Sequence, residues 1–230
     1  MRALLPLLVS IGLLAAGCAS EPGDASEDDV SEDESAVAAA RSRESILADI
    51  REVALSRGIK NGWLLAGIAK VETDLAHCRP RNLYCAGPAS KDCGGRPVLA
   101  GGSDGTCQQG GLGLFQLDQG TQSQTVSAYK RKGIDILSVK GNVRGGIELL
   151  LGKMELDDCL PGIADDEHGV EWLNGVELGS PTYDAFTGML AHCYNGWNVG
   201  QPGWKKQKAK YDAGIREALE LHGQSWWRAP

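Results

Sequence analysis

The sequence predicts a mainly α-helical fold, with one compact helical domain over residues 41–230 and a disulfide-stapled loop region inside it. Apolar residues recur at steps of three and four along several segments, as on the buried face of an amphipathic helix. Neither the strand–helix alternation of a parallel sheet nor an internal repeat is visible. The chain has 230 residues, 42% of them apolar and 23% charged, which is enough for one domain with a core.

The first half of this domain contains two predicted helices and a long loop. One helix runs from Glu44 to Arg57, with an apolar face of Ile46, Leu47, Ile50, Val53 and Ala54. The second follows Asn61, a residue type suited to capping a helix, and runs toward Leu75. Residues 79–112 are rich in glycine, proline and cysteine, which predicts a long stapled loop with room for a short hairpin.

Three further helices are predicted in the second half of the domain. They cover residues 142–156, 183–193 and 204–221, each with apolar residues on one face. The segment after Leu117 is rich in Gln, Ser and Thr, and no helix is assigned to it. The pair Trp226-Trp227 is expected to dock the C-terminal tail.

The N-terminus has the pattern of an export signal. Residues 1–17 contain one basic residue, Arg2, followed by an apolar stretch from Ala3 to Ala16. The run Leu14-Ala15-Ala16-Gly17-Cys18 resembles the bacterial lipobox, in which the signal is cut before the cysteine and that cysteine is lipidated. We therefore expect an exported protein anchored through Cys18 in the cell envelope, at the outer membrane or periplasmic face. An ordinary secretory signal is the alternative.

Negative charge is concentrated between this signal and the domain. The net charge of −7 argues against a nucleic-acid binder. Eight of the 30 acids lie between residues 19 and 40, and only one of the 23 bases precedes residue 41, so residues 41–230 are neutral with 22 of each. A Ser/Asp/Glu-rich segment of one charge buries nothing, so residues 18–40 are predicted to be an acidic disordered tether.

Six cysteines remain in the domain when Cys18 is set aside. An even number in an exported chain predicts three disulfides among Cys78, Cys85, Cys93, Cys107, Cys159 and Cys193. Six cysteines allow fifteen pairings, and the spacing selects none of them. A zinc site that includes His77 or His192 is the alternative, but no CxxC spacing occurs and an oxidising compartment favours disulfides.

Glu72 is the candidate catalytic residue that helix geometry singles out. On the second predicted helix it shares a face with Leu65 and Ile68, so a carboxyl group lies on the stripe that faces the core. Partial burial disfavours the charged form and raises the pKa, which enables a carboxyl group to donate a proton near neutral pH. A buried glutamate paired with Lys or Arg is the alternative.

Three segments that occur in order resemble one superfamily. They are Ile68-Ala69-Lys70-Val71-Glu72-Thr73, Gly111-Leu112-Gly113-Leu114-Phe115-Gln116-Leu117 and Leu190-Ala191-His192-Cys193-Tyr194-Asn195-Gly196. Together they resemble the signatures of soluble lytic transglycosylases and goose-type lysozymes. The resemblance implies a lysozyme-like α+β fold and cleavage of the β-1,4 bond between N-acetylmuramic acid and N-acetylglucosamine in peptidoglycan.

The same resemblance implies roles for five residues. Glu72 would be the general acid that protonates the glycosidic oxygen, and Gln116 would hydrogen-bond the sugar or its N-acetyl group. Tyr194 would lie near Glu72 and orient it, while Asn195 would hold the turn or a sugar. Thr73 stands where the family usually has serine, which keeps a hydroxyl beside the acid.

The resemblance leaves the reaction type open between lytic transglycosylase and muramidase. An inverting hydrolase needs a second carboxylate roughly 6.5 to 9.5 Å from the acid, whereas a lytic transglycosylase needs one acid/base because the sugar's own hydroxyl closes an anhydro ring. Asp118 and Asp104 resemble the two aspartates near this motif in goose-type lysozymes, and both can instead be turn residues.

Two neighbours of the Tyr194-Asn195 turn complete the predicted site. Trp197 can stack on a sugar or pack against the domain. Cys193 replaces a small residue of the family, and its disulfide is expected to tie the preceding helix to the loop that follows Glu72. No metal or cofactor is implied. The expected partners are peptidoglycan strands and, through the lipid anchor, a membrane. A non-catalytic peptidoglycan-binding lipoprotein and a stapled structural lipoprotein are the alternatives.

Overall fold

Capping side chains fix where most helices begin. In the computed structural model, which describes residues 41–80, 85–101, 107 and 110–229, five helices start at a side chain that accepts a hydrogen bond from the N–H three residues later. These caps are Ser42, Thr121, Ser138, Asp165 and Ser180. The described helices are α1 (Arg43–Ser56), α2 (Gly62–Thr73), α3 (Gln122–Arg131), α4 (Val139–Met154), α5 (Asp166–Asn174), α6 (Pro181–Met189), α7 (Pro202–Glu220) and α8 (Gly223–Arg228). The predicted mainly α-helical class is confirmed.

Two short strands lie between α2 and α3. Strands β1 (Cys85–Ala89) and β2 (Pro97–Ala100) pair antiparallel, with a 3-10 turn at Lys91–Cys93 between them. Val98 of β2 forms a bridge to Cys78, and Ala100 forms one to Leu112. The hairpin therefore joins the chain that leaves α2 to the loop that precedes α3.

Several local expectations differ from the structure. Asn61 does not cap α2; its buried amide donates to the carbonyl oxygens of Leu173 and Val176, each at 2.9 Å, and so ties α2 to the end of α5. Helices α3 and α5 lie where none was predicted. Their capping side chains and buried residues stabilise a helix although the composition of both segments is polar. The predicted helix over 183–193 is α6 followed by a π-helical turn, Leu190–Tyr194.

Helix α2 is the centre of the apolar core. Its residues from Gly62 to Ala69 are all buried, and it packs against α1, α7 and α8. Gly67 allows α7 to approach closely, since a Cβ there would lie 2.5 Å from the Cα of Ile215. One turn later, a Cβ on Gly214 of α7 would lie 2.6 Å from the side chain of Val71. The two antiparallel helices are thus in near-backbone contact. None of the described helices is both long and apolar enough to span a bilayer.

The three predicted disulfides are confirmed, and the structure selects the pairing. Cys78 pairs with Cys93, Cys85 with Cys107, and Cys159 with Cys193. The expected link from Cys193 to the loop after Glu72 is wrong, because Cys159 follows α4 and lies beside the π-helical turn instead. All six sulfurs are bonded to each other, so none is a thiolate available to zinc.

The loop of residues 111–117 is seated on α4. Asn142 of α4 is fully buried; its amide donates to the Leu112 carbonyl at 3.0 Å and its carbonyl accepts from the Phe115 N–H at 3.1 Å. One turn later the Phe115 ring lies over Gly146, where a Cβ would come within 2.4 Å of it. The absence of a side chain at Gly146 therefore determines how closely the loop packs on α4.

Gly146→Ala is expected to destabilise the protein by about 1 to 3 kcal/mol, because the new methyl group forces the Phe115 ring out of its place. Gly152→Ala on the exposed side of the same helix is the matched control; its Cβ meets nothing within 4 Å, so the better helix former should stabilise by about 0.5 to 1 kcal/mol. Urea unfolding of both variants measures the difference. Equal effects of the same sign would contradict the packing argument.

Candidate active site

Glu72 lies at the penultimate position of α2, where the helix ends abruptly. Asp74 and Leu75 both adopt left-handed backbone conformations, with φ of 54° and 63°, so α2 stops short of the predicted Leu75. The N–H groups of these residues donate to the carbonyl oxygens of Lys70 and Ala69. The last turn is therefore fixed, and the Glu72 carboxyl group is presented at a defined helix end.

One oxygen of the Glu72 carboxyl group accepts hydrogen bonds from two side chains. The phenol of Tyr211 donates to Oε1 at 2.5 Å, and Nδ2 of Asn195 donates to the same atom at 3.3 Å. Asn195 also hydrogen-bonds the Tyr211 hydroxyl, so the three side chains form a closed cluster. Oε2 has no hydrogen-bond partner among the described residues and is the oxygen available to carry and exchange a proton.

The surroundings of Glu72 favour the protonated form. Burial of the group is the dominant cause and raises its pKa above the ordinary value, while the hydrogen bonds from Tyr211 and Asn195 and the charge of Lys210 act in the opposite direction. No described carboxylate is among these causes. Among the described residues no Lys or Arg forms a salt bridge with Glu72, and Lys70 on the same helix contacts Asp74 and Glu217 instead, each at 2.6 Å.

The loop of residues 111–117 fastens two predicted site residues through its carbonyl groups. The hydroxyl of Thr73 is buried and donates to the carbonyls of Ala69 and Leu114, at 3.0 and 3.3 Å. The hydroxyl of Tyr194 donates to the Phe115 carbonyl at 2.5 Å. Burial raises the Tyr194 pKa well above its usual range, so the phenol keeps its proton and the bond. Both residues connect the Glu72 region to this loop.

Gln116 lies on the same loop, at its turn. Its backbone is left-handed, with φ of 47°, and its amide donates to the Gly113 carbonyl at 2.8 Å. The backbone pairing of Leu112 with Leu117 closes the loop on both sides, with N–H to carbonyl distances of 3.0 and 3.2 Å. The partly exposed Gln116 side chain is thus held in one place beside Gly101.

Asp118 and Trp197 are not part of the hydrogen-bonded cluster of Glu72, Tyr211 and Asn195. Asp118 is exposed, and its carboxylate accepts the Gly120 N–H at 2.8 Å, which is the bond of a turn-forming aspartate. Trp197 is 45% exposed, and its ring lies across Gly203 at the start of α7. Asp104 and Cys18 lie outside the described residues.

Tyr211 is the member of the Glu72 cluster that the sequence analysis did not identify. It is fully buried on α7 and lies 139 positions from Glu72 along the chain. The apolar periodicity of α7 predicts that Tyr211 faces the core but gives no sign that its hydroxyl meets a carboxyl group. Burial and the nearby Glu72 charge raise its pKa well above the usual range, so it remains a hydrogen-bond donor.

Glu72→Gln is expected to raise the melting temperature at pH 8. Because burial raises the pKa of this carboxyl in the folded state, the wild type loses stability as pH rises from the ordinary value of 4.5 through the folded pKa. Glutamine is neutral at every pH, so the gain is full above the folded pKa, shrinks as the pH falls through that pKa, and is absent below the ordinary value of 4.5. Each kcal/mol of stability gained should raise the melting temperature by about 2 to 4 °C. Calorimetry at pH 4 and pH 8 tests this, with the exposed Glu220→Gln as control; a gain independent of pH would contradict it.

Comparisons with known proteins give no match for this chain. A scan against protein-family models matches none. Searches of curated proteins and of solved structures likewise return no match. The chemistry of the site must therefore be judged from the side chains that form it.

Proposed function

We propose that this domain is a peptidoglycan lytic transglycosylase that cleaves the β-1,4 bond between N-acetylmuramic acid and N-acetylglucosamine. The observation that carries the proposal is the state of Glu72: a partly buried carboxyl with a raised pKa, one oxygen held by neutral donors and the other unbonded among the described residues. This is the arrangement that a general acid requires. The ordered resemblance of the three sequence motifs supports the choice of substrate.

In the proposed reaction Glu72 acts first as an acid and then as a base. Protonated Oε2 gives its proton to the bridging oxygen, and the bond from that oxygen to C1 of the muramic acid breaks. The resulting carboxylate then accepts the proton of the sugar's own C6 hydroxyl, whose oxygen bonds to C1 and closes the anhydro ring. Water is not consumed, and Glu72 ends protonated.

The environment of Glu72 favours this reaction over inverting hydrolysis. Hydrolysis with inversion needs a second carboxylate to activate water. Asp118 accepts a backbone N–H in a turn, and Asp104 lies outside the described residues. We propose that Glu72 carries out both the acid and the base step, since a lytic transglycosylase needs no second carboxylate. Gln116 and Asn195 are proposed as sugar contacts at the same loop and turn, and Trp197 as a stacking surface beside them.

Export and anchoring through Cys18 are part of the same proposal. Three disulfides suit an oxidising compartment, where the wall polymer is found. An acidic tether between a lipidated cysteine and the domain would let the enzyme reach nearby strands. The proposed location and the proposed substrate are thus consistent.

Digestion of purified peptidoglycan tests the reaction type. The oxidised wild-type protein is expected to release anhydromuropeptides, identified by mass spectrometry because each is lighter by one water than its reducing counterpart. Glu72→Gln should reduce this release by at least about 100-fold, as expected for the loss of a general acid. Glu220→Gln, an exposed glutamate on α7, is the matched control and should retain wild-type activity.

Each other outcome has a definite meaning for the proposal. Reducing-end products that vanish in Glu72→Gln would identify a muramidase and overturn the single-carboxylate mechanism. Release that survives Glu72→Gln would remove Glu72 from the chemistry. Absence of products from several wall types would favour the glycan-binding alternative.

Tyr211→Phe tests whether the phenol positions Glu72. The hydrogen bond from Tyr211 lowers the Glu72 pKa, so its loss should raise that pKa and move the alkaline limb of the kcat/KM profile to higher pH. Loss of a hydrogen bond to a charged group should also reduce kcat by about 10-fold or more. Tyr183→Phe is the control, since that phenol on α6 donates to a different carboxylate, Asp212 of α7, at 2.8 Å. If the variant loses stability but the alkaline limb of the kcat/KM profile does not move, Tyr211 has only a structural role.

A further inference from the structure

Arginine side chains border a cleft that begins at Thr73, next to the proposed general acid. The cleft holds about 400 Å³ and is bordered by Arg41, Arg43, Arg79 and Arg96, which we call the arginine cleft. Asp74 is the one carboxylate among its described lining residues. Residues 41–230 are neutral as a whole, so this concentration of positive charge arises from folding.

The arginines reach the cleft from three separate parts of the chain. Arg41 and Arg43 lie at the start of α1, Arg79 follows α2, and Arg96 precedes β2. The disulfide Cys78–Cys93 and the hydrogen bond from the Arg79 N–H to the Pro97 carbonyl, at 3.0 Å, hold the last two segments side by side. The backbone that carries the charges is therefore fixed in advance of any ligand.

Two of these arginines, Arg41 and Arg43, contact described carboxylates. Arg41 contacts the buried Asp49 at 2.7 Å and Asp92 at 3.7 Å, and Arg43 pairs with Asp74 at the surface. Among the described residues Arg96 makes one long hydrogen bond, 3.4 Å, to the Cys93 carbonyl, and it is partly exposed. Arg96 thus presents positive charge at the β2 side of the cleft, and the Arg43–Asp74 pair is exposed enough to exchange partners.

The lining favours a peptide carboxylate over a bare anion. All four cations are arginines, whose planar guanidinium groups match a carboxylate with two parallel hydrogen bonds. Apolar residues also line the cleft: Pro80 is partly exposed, while Ile46 and Leu75 are almost fully buried. Several arginine forks along one cleft suit an extended acidic segment whose carboxylates can pair with them.

We propose that the arginine cleft binds the chain's own acidic segment, residues 19–40. This segment carries eight carboxylates and no base, and it runs directly into Arg41 at the edge of the cleft. The last acid, Glu34, is seven residues from Arg41, so it cannot lie more than about 25 Å away. Such a short connection gives an effective concentration of the order of millimolar. The proposal does not depend on catalysis by Glu72.

Peptide binding to two forms of the full chain tests the proposal. In one form the eight acids of residues 19–40 are replaced by Asn and Gln, and the other form is wild type. A fluorescent synthetic peptide with the sequence of residues 19–40 should show saturable binding to the amidated chain. It should bind the wild type at least 10-fold more weakly, because the wild type's own segment competes for the cleft. The double variant Arg43→Gln with Arg96→Gln, made in the amidated chain, should weaken binding at least 10-fold.

The control variant is Arg131→Gln, an exposed arginine on α3 away from the cleft, which should leave peptide binding unchanged. Raising NaCl to about 0.5 M should weaken binding strongly, because the contacts are ionic. No binding to the amidated chain, or an equal effect of Arg131→Gln, would overturn the site. Equal binding to the wild-type and amidated chains would overturn the assignment of residues 19–40 as occupant and indicate an acidic peptide from outside the chain.

Discussion

The close approach of α2 and α7 is the constraint on which the site depends. Gly67 and Gly214 leave no side chain where the two helices cross, so Ile215 and Val71 pack directly on the opposite backbone. Because the helices are antiparallel, the turn before Ile215 lies against the end of α2, and the Tyr211 hydroxyl reaches Glu72 there. A larger side chain at the crossing would separate these two groups although neither would have changed.

A second set of contacts converts this helix pair into a site with a wall. The carbonyl group of residue 114 accepts a hydrogen bond from the Thr73 hydroxyl, and that of residue 115 accepts one from the Tyr194 hydroxyl. Asn142 and the disulfide between Cys159 and Cys193 fix the loop and the π-helical turn that supply these contacts. Residues with no chemical role therefore determine where the carboxyl group and its donors lie.

Helical periodicity predicted the parts of this arrangement that are local in sequence. It located α1, α2, α4, α6 and α7 within a few residues, and it placed Glu72 on a buried face. It missed α3 and α5, whose short helices depend on a cap and on packing more than on apolar repeats. It also could not pair Cys193 with Cys159 or Tyr211 with Glu72, because both contacts join residues far apart in sequence whose meeting is set only by how the helices pack.

The pattern of ion pairs around α2 explains how a partly buried carboxyl group lies near cations without pairing with Lys70. Lys70 lies on the same helix as Glu72, yet Asp74 and Glu217 occupy it. Had Lys70 paired with Glu72, a full positive charge would hold the carboxylate ionised, and proton donation would be unfavourable. Neutral donors such as Tyr211 and Asn195 fix the orientation of the group and only partly offset the effect of burial. The partners thus differ by position: charged groups pair with one another at the surface end of α2, and neutral donors contact Glu72.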